Sequence, residues 1–136
     1  MRKIYICHPY AKNPKKYREV VRQICEYITN NEKERYRNLV KNQDNIIGKK
    51  SIVVPIASHL IFPEFMNDVD IDRQLAMDYC IELMLACDEV WVYYEEGVTS
   101  GMREEISAAS GAGVTVVWKE YPREVLNKWS DLGDKL

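Results

Sequence analysis

Apolar residues gather in four short runs rich in β-branched and aromatic side chains, separated by segments with apolar positions at helical spacing. Lys3 to Cys7, Ser51 to Ile56, Glu89 to Tyr94 and Val114 to Trp118 each read as a buried strand. After the first, Tyr17, Val20, Val21, Ile24, Tyr27 and Ile28 mark one face of a helix that Asn13 caps and Pro14 opens. That helix is expected to end near Thr29-Asn30-Asn31. A second, mostly exposed helix is expected from Glu32 to Asn42, then a polar connection from Gln43 to Lys50. Ala57 to Val69 reads as a long loop rich in apolar residues, of the kind that covers a pocket or a partner subunit. Asp70 or Asp72 then caps a helix with the stripe Leu75, Ala76, Tyr79, Cys80, Leu83, Met84 and Cys87. Another helix, from about Ser100 to Ser110, stops at Gly111-Ala112-Gly113. Pro122 to Trp129 reads as a last short helix, and Ser130 to Leu136 as a tail.

Strands alternating with helices predict an α/β fold: a Rossmann- or flavodoxin-like parallel sheet of about four to five strands with helices on both faces. A chain of 136 residues makes one ordinary domain. There is no G-x-G-x-x-G and no G-x-x-x-x-G-K-[ST], which removes the dinucleotide fingerprint and the P-loop, so no cofactor is expected. A formal charge of −2 gives no pull toward a nucleic acid polymer, and the basic stretches Lys12 to Arg22 and Lys33 to Lys41 are interrupted by glutamates. No apolar run approaches the ~20 residues that cross a bilayer, and the first residues enter a strand rather than a signal-peptide pattern. No membrane association and a cytoplasmic location are the expectations. The four cysteines, Cys7, Cys25, Cys80 and Cys87, have no metal-ligand spacing and read as buried reduced thiols, with Cys7 a partial exception at a strand end.

Ligands of open parallel sheets bind beyond the carboxyl ends of the strands. Those ends here are Cys7-His8-Pro9-Tyr10, Ile56 to His59, Tyr93 to Gly101 and Lys119 to Tyr121, a polar and aromatic rim. The strand–turn–helix through Thr99, Ser100, Gly101 and Met102 presents the unpaired N–H groups of a helix start, suited to a polar or anionic ligand. Glu105 lies about one turn further in. It is either a surface carboxylate that stabilises the helix start or a catalytic group aimed at the crevice. Tyr5 either packs in the core or offers its phenol to a carboxylate, and His59 is either a ligand-binding imidazole or a partly buried loop residue. Asp72 and Arg73 read as a cap with a surface ion pair, and Asp88 as a structural residue at the amino end of its strand.

Three segments together resemble the nucleoside 2-deoxyribosyltransferase-like proteins, in particular small, often phage-encoded members grouped under domains of unknown function. Ile4 to Tyr10 is similar to the opening strand and glycosyl-binding loop of that family. Val54 to Pro63 is similar to a P-I-A-P-H-L segment of the small members. Cys87-Asp88-Glu89-Val90-Trp91-Val92, with Ser100-Gly101-Met102 and Glu105-Ile106, is similar to their C-D-x-x-W-V and S-x-G-M-x-x-E-I motifs. The likeness makes residues 1–121 one such domain with 31–50 as an insertion, and 122–136 a C-terminal helix and tail.

The resemblance implies that Glu105 is a nucleophile for the anomeric carbon of a 2-deoxyriboside and that Tyr5 hydrogen-bonds it. It implies substrate contacts from Cys7, His8, Pro9, Tyr10, His59, Thr99, Ser100, Gly101 and Met102, with His59 near a substrate phosphate. The base-handling aspartate of the family falls near Cys80, with Asp78 on another face, and no acid stands at Thr99. The implied activity is cleavage or transfer of the N-glycosidic bond of a 2-deoxynucleoside or its 5′-monophosphate, through an oxocarbenium-like state that a carboxylate can trap. A non-catalytic protein that senses or sequesters a nucleotide-derived ligand is the alternative, and an oligomer with a vestigial crevice a third. Relatives build sites across subunits, so a homo-oligomer, a dimer or larger, is expected.

Overall fold

The computed structural model describes residues 1–42, 46–66 and 70–132. Its sheet contains β1 (Arg2–Cys7), β2 (Val53–Ile56), β3 (Glu89–Tyr93) and β4 (Thr115–Lys119), in the spatial order β2-β1-β3-β4. All three pairings are parallel. The helices are α1 (Pro14–Lys41), the short α2 (Ile46–Lys49), α3 (Asp70–Leu85), α4 (Ser100–Gly111) and α5 (Arg123–Leu132). This is the expected α/β architecture, with four strands.

Alternation along β1 divides the interior in two, because successive strand side chains point to opposite faces. Ile4 and Ile6 pack with Tyr17, Val20, Val21 and Ile24 of α1 and with Val125 and Trp129 of α5. Tyr5 and Cys7 pack on the other side with Met84 of α3, Val90 and Val92 of β3, and Met102 and Ala109 of α4. Helices therefore cover both faces, α1 and α5 on one and α3 and α4 on the other.

One boundary differs from expectation. α1 does not stop at Thr29-Asn30-Asn31 but runs unbroken to Lys41. Those residues cost a helix only a few tenths of a kcal/mol each and include no glycine or proline. The continuation is anchored: Glu32 accepts from the Val53 N–H of β2 at 3.0 Å and pairs with Arg35 at 2.7 Å. The next segment contains α2; residues 43–45 of the expected connection lie outside the described residues.

The apolar loop after β2 forms two 3-10 turns, Ser58–Leu60 and Phe62–Glu64, and its expected end at 67–69 lies outside the described residues. Ile61 and Phe65 of this loop are exposed, as are Leu75 and Tyr79, two of the seven positions of the expected α3 stripe. α5 extends to Leu132, beyond the expected Trp129, and the last four tail positions, 133–136, are not described. Asp88 is structural, as read: it accepts from the Lys3 N–H at 2.8 Å and ties the start of β1 to that of β3. No helix among the described residues is long and apolar enough to cross a membrane.

Candidate functional site

The turn after β3 needs a glycine. Gly97 has φ of 95°, a conformation that costs residues with a Cβ, and its N–H closes the turn on the Tyr94 carbonyl at 2.8 Å. The chain then enters α4 at Thr99, whose hydroxyl accepts from the Met102 N–H at 3.3 Å, while the Thr99 N–H points at Met102 Sδ at 3.5 Å. Thr99 and Met102 are thus partners in a cap, and Met102 is buried in the core. Ser100 is exposed. Gly101 lets α3 approach α4: a Cβ there would sit 3.0 Å from Met77 Cε.

This start aims Glu105 inward, and only 6% of it remains exposed. Its Oε1 accepts from the Cys7 thiol at 4.0 Å, and Oε2 has no hydrogen-bond partner among the described residues. Burial raises its pKa to about 7; the Tyr5 hydroxyl offsets part of that rise, and the Glu104 charge adds to it. The Tyr5 side chain is fully buried, and its hydroxyl lies 2.8 Å from Ser58 Oγ. Burial together with the Glu105 charge holds the Tyr5 phenol protonated. Burial raises the pKa of Cys80, half-buried on α3; the Glu105 charge adds to the rise, and the Ser58 and Tyr5 hydroxyls offset part of it. Tyr5 and Cys7, on one face of the carboxyl-terminal half of β1, thus share a neighbourhood with Ser58 of the turn after β2, Cys80 of α3 and Glu105 of α4. Burial keeps all the thiols neutral, raising Cys25 and Cys87 to about 11 and Cys7 and Cys80 in the same direction. All four cysteines are free.

The histidines form a different group. Continuing the alternation of β1, His8 points to the α1 and α5 side, away from Glu105. Its Nδ1–H donates to the Pro9 carbonyl at 2.9 Å, so its Nε2 accepts from the Tyr121 hydroxyl at 2.6 Å. His59 Nε2 lies 3.0 Å from the His8 carbonyl and 3.2 Å from the Pro9 carbonyl, which only an Nε2–H can satisfy. Its Nδ1 is then a bare, buried acceptor with no partner among the described residues. Burial lowers His8 to about 3 and His59 to about 4, so both rings are neutral near pH 7. His59 accordingly brings no positive charge to a phosphate at that pH. Tyr10 sets its ring edge-on to His59 at 5.2 Å. The two imidazoles thus hold the loop His8-Pro9-Tyr10 in shape.

Of the residues singled out in the sequence, the structure brings Glu105, Tyr5 and Cys7 together at one point. Thr99, Gly101 and Met102 build the helix start that aims Glu105, and His8, Pro9, Tyr10 and His59 form the adjoining loop framework. Ser58 and Cys80 belong to the neighbourhood of the carboxylate and were not singled out as site residues. The available signals were the adjacency of Ser58 to His59 and the place of Cys80 on the inward stripe of α3. Among the described residues, no group of three or more His, Cys, Asp or Glu side chains is placed to hold a metal ion.

A family model described as a domain of unknown function (DUF7768) matches residues 34–119, well over half of the chain. The chain belongs to that family. No curated protein and no solved structure matches it.

Proposed function

We propose that this member of the family cleaves or transfers the N-glycosidic bond of a 2-deoxynucleoside or its 5′-monophosphate, with Glu105 as nucleophile. The observation that carries the reading is a buried carboxyl with one unpartnered oxygen, set against Tyr5 at the carboxyl edge of a parallel sheet. The resemblance of the surrounding segments to nucleoside 2-deoxyribosyltransferase-like proteins supplies the reaction class. A Glu105 oxygen forms a bond to C1′ as the C1′–N bond breaks, and the base leaves with the electron pair and takes up a proton. Water or a second base then displaces the carboxylate from C1′. Glu105 must be ionised to attack, so the rate should rise with pH through about 7.

The test is release of free base from a panel of deoxynucleosides and their monophosphates. Release from at least one compound, lost in Glu105→Gln, supports the reading; no release from any compound removes it. A second reading, a non-catalytic binder of a nucleotide-derived ligand, draws on Cys80. Its neutral thiol stands where the resemblance places a base-handling acid, and burial makes it a poor proton donor. Binding by Glu105→Gln and wild type alike, with no base released by either, favours that reading. The exposed Ile61, Phe65, Leu75 and Tyr79, with Phe62 edge-on to Tyr79 at 5.4 Å, suit the face of a homo-oligomer. Sedimentation showing only monomer would remove that element.

A further inference from the structure

We propose that Cys7 is a positioning residue for Glu105: its thiol tethers Oε1 and leaves Oε2 as the oxygen presented to the sugar. The assignment rests on the reading of Glu105 as nucleophile, but its first test needs no substrate.

The tether stands on a rigid base. β1 lies between β2 and β3, and Cys7 is in register with Val92 of β3, so its backbone is held inside the sheet. Cys7 is fully buried, and a single side-chain torsion places its sulfur, so packing fixes Sγ as well. Glu105 reaches the same point from α4 on a longer side chain, and its Oε1 accepts from the thiol at 4.0 Å. Among the described residues that thiol is the only hydrogen-bond partner of the carboxyl, since the Tyr5 hydroxyl is bonded to Ser58 Oγ at 2.8 Å.

A thiol suits this task better than a stronger donor. A hydroxyl or N–H held against Oε1 would make a charge-assisted bond, lower the basicity of the carboxylate and compete with C1′ for its electrons. A thiol donates weakly, and at 4.0 Å it does so loosely. It orients the group and leaves the negative charge available for attack. With Oε1 turned to Sγ, Oε2 is a buried acceptor left for an atom of the ligand. The plain alternative is a cysteine serving as a small apolar filler. The two roles differ in whether the thiol senses the carboxyl.

The test is the S–H stretching band of Cys7 in the infrared spectrum of the full-length protein, without ligand. The band is identified by its loss in Cys7→Ala, and burial keeps the thiol protonated so that the band persists. As Glu105 ionises through about pH 7, a thiol that donates to it should shift to lower frequency. Glu105→Gln should abolish that pH dependence. A filler thiol would keep one frequency throughout. With a substrate from the base-release screen, Cys7→Ala should lower kcat by roughly tenfold and leave KM within about twofold, because the tether acts on orientation and not on binding. Should Cys7→Ala not fold, Cys7→Ser removes the same band and identifies it equally.

An S–H band indifferent both to pH across that range and to Glu105→Gln overturns the assignment, as does a wild-type kcat in folded Cys7→Ala. Either result leaves the nucleophile reading standing. Absence of base release from every compound removes the nucleophile reading and the positioning role with it, and leaves the contact between thiol and carboxyl as measured.

Discussion

The two sides of the carboxyl end of β1 treat buried ionisable groups in opposite ways. On the α1 and α5 side, His8 has both ring nitrogens engaged, and the neighbouring His59 commits its one N–H to backbone carbonyls. These imidazoles are neutral framework, and their hydrogen bonds fix a loop. On the α3 and α4 side, Glu105 is as buried, yet among the described residues one oxygen has no hydrogen-bond partner and the other has only a thiol at 4.0 Å. The histidine side leaves an acceptor of its own unpartnered, His59 Nδ1, but that is a nitrogen of a ring kept neutral, whereas the Glu105 oxygen belongs to a group that takes on charge near pH 7. Chemistry is therefore expected around Glu105, and stability around the histidines.

The largest effect should come from Glu105→Gln, which keeps the volume and removes the charge. Base release should fall by at least about 10⁴-fold in kcat/KM, while the melting temperature stays level or rises, because a poorly satisfied acid has been replaced by a neutral amide. A large loss of stability with activity retained would reverse the comparison.

His8→Ala should do the opposite. It leaves the Tyr121 hydroxyl without its acceptor, takes one of two donors from the Pro9 carbonyl and creates a cavity, costing about 3 kcal/mol and roughly 10 °C in Tm. The folded fraction should keep much of its activity. Thermal melts and rates per folded molecule read the two effects separately.

A smaller effect is the pH dependence of stability. His8 and His59 titrate at about 3 and 4 in the folded protein, against an ordinary 6.5. Below pH 6.5 the unfolded chain binds two protons that the folded one does not, so stability is lost as pH falls. Glu105 works in the other direction: raised from 4.5 to about 7, it favours the folded state less as pH rises through that window. Two protons outweigh one until the unfolded histidines have lost most of theirs, so denaturant midpoints should peak near pH 7. They should fall on the acid side by about 1.4 kcal/mol per pH unit per net proton. Glu105→Gln should flatten the shallow upper limb and steepen the acid one, since it removes the opposing proton. An acid limb unaffected by His8 and His59 substitutions would show that the rings are not the neutral framework described.

Much of this was legible in the residues. All four strands were, because strands buried on both faces demand continuous β-branched and aromatic runs, as in Ile52-Val53-Val54 and Val90-Trp91-Val92. The start of α4 was legible because Gly97, Thr99 and Gly101 carry their local chemistry openly, and that placed Glu105. The length of α1 was not, because the bond from Val53 N–H to Glu32 that anchors its second half is a tertiary contact. Leu75 and Tyr79 match the helical period yet face outward, since period shows that a stripe exists and not what covers it. His8 was grouped with Cys7 by adjacency, although strand alternation sends the two to opposite faces. The bond between Ser58 and Tyr5 joins the turn after β2 to β1, and no local pattern encodes it.

The central claim is that the Glu105 carboxylate itself attacks the sugar. Its most direct measurement is rapid acid quench of enzyme with a substrate found in the base-release screen, followed by peptide mass mapping. The account predicts a 2-deoxyribosyl adduct on the peptide containing Glu105, absent in Glu105→Gln. An adduct on another residue, or wild-type turnover by Glu105→Gln, would contradict it.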